Sequence, residues 1–155
     1  MPQQSFSDWL AVLLRHLALP LPTGPTQPVA TFHFDGKPKV YVTGRSGQVD
    51  FMSEAGVLSV PYSSDTLQAL LESNRCSEAD DAVSIMLDRA SGAVIVWARQ
   101  RQEKLGAIDA ASLLQLVRQK VDAVQKLLGR SSQPTPGRSA AALSRMLRTE
   151  GSHSR

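Results

Sequence analysis

One cysteine, three histidines and an aromatic content of 5% mark what this 155-residue chain has little of. The single thiol, Cys76, can form neither an internal disulfide nor a cysteine cage for zinc. With so few aromatic residues, Leu, Val, Ile and Met must build most of the core. No run approaches the roughly 18 consecutive apolar residues of a membrane span. No basic segment precedes the first apolar stretch, and Asp8 stands at its start, so the N-terminus does not read as a secretory signal. These absences favour a soluble, cytoplasmic protein, and the length suggests one domain.

Catalytic chemistry is also thinly supplied. His153 lies in the C-terminal tail, His16 near the end of a helix and His33 in a strand. No Ser-His-Asp set can be assembled from them, and Cys76 has no activating motif beside it. Glu78, Asp80 and Asp81, with Asp88 further on, make an acidic cluster without the loop glycine and distal Glu of a calcium hand. The Gly44–Gly47 stretch lacks the spacing of a phosphate-binding loop, and no helix follows it. The expectation is no catalytic residues, no metal site and no cofactor.

The net charge is +3, unevenly spread. Residues 1–128 carry 12 Lys/Arg against 13 Asp/Glu, whereas 129–155 carry five Arg against one Glu. The basic character belongs to the tail, so it does not argue for a basic nucleic-acid-binding face on the folded part.

Within residues 1–128 the apolar pattern alternates between helical and strand periods. Ser5 and Asp8 resemble a capping box, and Trp9, Leu10, Leu13, Leu14 and Leu17 then recur at helical spacing. Pro20, Pro22, Pro25 and Pro28 forbid helix and make an extended connector. Three short strands follow: Val29–Phe34, Lys39–Thr43 and Gln48–Ser53. The turns between them are so short that the strands must be antiparallel neighbours. A second helix over Asp65–Asn74, capped by Ser63 or Ser64, presents Leu67, Leu70 and Leu71. Residues 74–81 read as a polar loop. Val83–Asp88 and Ala93–Arg99 form a hairpin, the second strand apolar on both faces as a central strand would be. A long helix begins at Asp109 and carries Leu113, Val117, Val121, Val124 and Leu128 on one face up to Gly129. The order α-β-β-β-α-β-β-α predicts an α+β fold, a mostly antiparallel twisted sheet covered by helices. Residues 129–155 form a flexible basic tail, with a short amphipathic helix conceivable over 139–149.

Several of these segments together resemble the class I type III secretion chaperones of Gram-negative bacteria. The resemblance is carried by the Phe32–Gly36 turn, the Leu13–Pro22 exit, the Tyr62–Asn74 helix, the Ser84–Arg99 hairpin ending in Trp97-Ala98-Arg99, and the Ile108-Asp109 step into the last helix. It covers residues 6–128. It implies a homodimer whose interface lies on Leu67, Leu70, Leu71, Ile85, Leu87 and Trp97. It also implies a partner, the N-terminal region of a secreted effector, held extended against Leu10, Leu13, Leu14, Leu17, Phe32, Phe34 and Val42. Two other roles fit the sequence. One is a general export-control chaperone whose tail docks on secretion machinery. The other is a nucleic-acid-binding module using Arg130, Arg138, Arg145, Arg148 and Arg155, whose binding would fall steeply with salt.

Overall fold

A computed structural model of the chain describes residues 4–24, 28–58, 64–74 and 83–129. The expectations for Cys76, for the acidic cluster at 78–81 and for the tail beyond Gly129 lie outside these residues. Helix α1 (Phe6–His16) leads into strands β1 (Val29–Phe34), β2 (Lys37–Arg45) and β3 (Gln48–Val57). Helix α2 (Ser64–Ser73), strands β4 (Ser84–Leu87) and β5 (Ala93–Arg101), and helix α3 (Ala107–Leu128) complete the order. One five-stranded antiparallel sheet runs β1-β2-β3-β5-β4. The α+β expectation and the element order hold.

Local chemistry explains where the elements begin. The Ser5 hydroxyl accepts the Asp8 amide, the N-cap bond of α1, and itself donates to the Asp8 carboxylate, a side-chain variant of the expected capping box. Helix α3 starts two residues before Asp109, with Gly106 as its N-cap. Asp109 instead sits in the first turn, where its negative charge favours the helix N-terminus. The β2–β3 turn is only Ser46–Gly47, both at positive φ, the backbone of a type I′ hairpin. β2 and β3 run longer than their β-propensity predicts. The Glu54-Ala55-Gly56 stretch looks unlike strand, yet β5 pairs along it through an irregular register.

All three helices feed one core on one face of the sheet. Leu113, Val117, Val121 and Val124 are buried there, as their spacing predicts, joined by Ala110 and Leu114. α1 is locked by Trp9. Its indole N–H donates to the Leu105 carbonyl at 2.7 Å, and its ring meets Phe6 and the fully buried Phe51. Phe6 lies so close to β2 that a Cβ at Gly44 would fall 2.1 Å from its ring, so this strand position requires glycine. α2 is held at its C-terminal end by the Lys120 ammonium, which donates to the Ser73 carbonyl.

The opposite face of the sheet carries a smaller apolar cluster: Met52, Ala93 and Ile95, with Tyr41 and Trp97 beside them. There the Arg99 guanidinium grips Asp50 through two hydrogen bonds of 2.6 and 2.9 Å and lies over the Trp97 ring. Such a two-pronged cross-strand pair fixes β3 against β5. No described helix is long and apolar enough to cross a membrane.

Candidate functional site

An apolar groove of about 880 Å³ lies between α1, the chain that leaves it, and β1. Leu10 and Leu14 form one wall. Leu19, Pro20, Leu21, Pro22 and Thr23 form a second, and Val29–Phe34 the third. A smaller hollow of about 390 Å³, lined by Lys37, Ala55, Asp122, Gln125, Lys126, Leu128 and Gly129, is bridged by the Lys37–Asp122 ion pair and is more polar.

The wall contributed by the exit of α1 is built by a helix-stop motif. The Leu19 amide donates to the Leu14 carbonyl and the Ala18 amide to that of Arg15, the two bonds of a Schellman cap. That geometry turns the chain back so that Leu19 joins Leu14 in lining the groove. It also forces Ala18 to φ 54°, a conformation that favours glycine. Ala18→Gly is therefore expected to stabilise the protein by about 1 kcal/mol, the left-handed strain relieved less the entropy glycine loses on folding. Urea unfolding measures it, and a destabilised variant would refute the assignment.

The floor of the groove is an edge strand. The Gly44 amide donates to the Pro28 carbonyl, which makes 28/44 a hydrogen-bonded pair in the β1–β2 register. Alternation then turns the amides of Ala30 and Phe32 toward β2 and those of Val29 and Thr31 toward the open edge. Val29 and Thr31 are exposed, while Ala30, Phe32 and Phe34 point to the helix side.

The other edge is short and blocked at Ile85. β4 has four residues, and the Asn74 side chain lies along it. Its carbonyl oxygen accepts the Ile85 amide at 2.8 Å and its NH₂ donates to the Ile85 carbonyl at 3.3 Å. One carboxamide thus imitates a neighbouring strand at Ile85 and occupies the backbone groups of that residue that a further strand would use.

The predicted site residues separate under this geometry. Leu10, Leu14, Phe32 and Phe34 line the groove. Leu13 and Val42 do not reach the surface: both are fully buried, because they face the center of the helix–sheet sandwich, and they serve the core. Leu17 is half-buried against that core. The strap Leu19–Thr23 and the β1 amides were not singled out by the sequence; the alternation of Leu and Pro after α1 was the available signal. The residues expected at a dimer interface do not form one patch. Leu70 is buried in the core, with Leu67 and Ile85 packed against it. Leu71 and Leu87 are exposed, and Trp97 lies on the opposite face of the sheet from Ile85 and Leu87.

This arrangement of sheet and helices is the fold of several solved type III secretion chaperones. No sequence-family model matches the chain and no curated protein matches it in sequence. Solved structures do. In the ExoU–SpcU complex from the type III secretion system of Pseudomonas aeruginosa, the match has a TM-score of 0.65 at 20% identity and covers 82% of this chain and 100% of that one. For the Yersinia pestis type III secretion chaperone SycH, in complex with a fragment of YscM2, the values are 0.62, 17%, 77% and 99%. A looser neighbour, Escherichia coli YbjN, proposed to be a transcription regulator, has a TM-score of 0.53 at 14% identity, covering 76% of this chain and 87% of that one. The fold is thus shared with proteins solved in complexes from type III secretion systems, and a shared fold alone does not fix function.

Proposed function

We propose that this chain is a cytoplasmic, homodimeric chaperone of type III secretion that acts by binding rather than by catalysis. Its client is the N-terminal region of a secreted effector, which it keeps extended. The observation that carries the reading is the asymmetry of the sheet edges. Among the described residues the β1 edge has no neighbouring strand and borders an apolar groove of about 880 Å³, whereas the β4 edge is blocked at Ile85 by Asn74. An extended segment adding to β1 would gain backbone hydrogen bonds from Val29 and Thr31. Its alternate side chains would enter the groove against Leu10, Leu14, Phe32 and Phe34. That SpcU and SycH, which share this fold, are found in complexes with ExoU and a YscM2 fragment supports a binding role.

Affinity purification of the tagged chain from its native host, with light scattering on the eluate, tests the proposal. A dimer carrying one copy of a secreted protein through that protein's N-terminal region is the expected result. Several such clients would indicate a general export-control chaperone. Nucleic acid released by salt, with no protein client, would overturn the reading in favour of the Arg-rich tail.

A further inference from the structure

Phe34 ends β1 and closes one part of the groove, and on its ring lies the guanidinium of Arg118 from α3, 3.9 Å from the centroid. Stacking on an aromatic face fixes the plane of the guanidinium and leaves its N–H edge directed sideways, ready for a carboxylate. Among the described residues no carboxylate lies within ion-pair distance of it. Asp122, one turn further along α3, is held by Lys37 at 2.9 Å. None of the groove-lining residues is Asp or Glu, so nothing in the groove repels an anion. Arg118 does not itself line the groove but borders it through the Phe34 ring, and a positioned cation at the margin of an uncharged groove is a selecting element, because it attracts one sign of charge and leaves the apolar contacts unchanged.

We propose that Arg118 is a specificity residue of the groove: it selects a bound segment carrying an Asp or Glu beside the apolar side chain that packs at Phe34. This rests on the groove reading above and adds a charge to the sequence pattern the groove accepts.

The probe is a set of short synthetic peptides of alternating Leu and Thr, with a single Glu walked along them and Gln at the same positions as controls. Binding to the full chain is read by fluorescence anisotropy. At one position Glu should bind about fivefold to tenfold more tightly than Gln, the scale of a charge-assisted hydrogen bond near the surface. In Arg118→Gln that preference should vanish while the Gln peptides bind as before. In Arg118→Lys part of it should return. Binding without discrimination at any position, or a preference that survives Arg118→Gln, would overturn the role of Arg118 and leave the groove standing. Failure of every peptide to bind would overturn the groove reading and the Arg118 role together.

Discussion

Thr31→Pro should weaken binding of the proposed client about a hundredfold and leave the protein folded. The amide of Thr31 faces the open edge of β1, so a proline there removes a donor that the β1–β2 ladder does not use. Edge strands accept proline for this reason, and the preceding Ala30 is already extended, as a residue before proline prefers. An incoming strand loses one backbone hydrogen bond and also meets the pyrrolidine ring where its carbonyl would approach. Together these effects should weaken binding by about a hundredfold, near 2.7 kcal/mol. Thr31→Val keeps the amide and should bind as the parent does. The two variants are compared by titration against the purified client, with thermal unfolding of each as the control for folding. Undiminished binding by a folded Thr31→Pro would exclude strand addition at β1. The more obvious substitution, Phe32→Asp, reads less cleanly, because Phe32 is 6% exposed and a carboxylate there would unfold the core.

The groove was half legible in the sequence, for a physical reason. Leu10, Leu14, Phe32 and Phe34 sit on faces that periodicity marks as apolar, and periodicity also marks Leu13 and Val42. Which of them close the core and which line a groove depends on what packs above each. That is decided by the Schellman turn at Ala18, which swings Leu19–Thr23 alongside α1 instead of away from it. Leucine spacing in α1 carries no record of that turn. The same limit applies to Trp97. Its place at the end of an apolar strand gave its neighbours but not its face, and the register with β3 puts it beside Met52, away from the helices. Asn74 appeared only as a helix end, although its carboxamide is what distinguishes the two sheet edges.

Leu71→Glu should dissociate the proposed dimer without weakening the monomer. Leu71 is 71% exposed on α2, and Leu87 is exposed on β4. The Asn74–Ile85 clamp ties the end of α2 to β4, which brings these two leucines to the same region of the surface. Leu71 stands three residues before Asn74 and so shares its side of the helix. Leu87 stands two residues after Ile85 and so shares its face of the sheet. An isologous contact through this region would bury both leucines twice over the two-fold axis. It would also remove apolar surface that a domain of this size leaves uncovered. A Glu at position 71 stays solvated in the monomer, where such surface changes stay within about 0.5 kcal/mol. In the dimer the same carboxylate would be desolvated against its own copy. The expected result by sedimentation velocity is a dimer for the parent chain and a monomer for Leu71→Glu at equal concentration. Dissociation should be favoured at least about tenfold, or 1.4 kcal/mol. A dimer that persists in the variant would move the interface to the other face of the sheet, where Tyr41, Met52 and Trp97 are gathered. There one carboxylate oxygen of Glu54 is enclosed with no hydrogen-bond donor among the described residues. An arriving amide or cation would remove that cost.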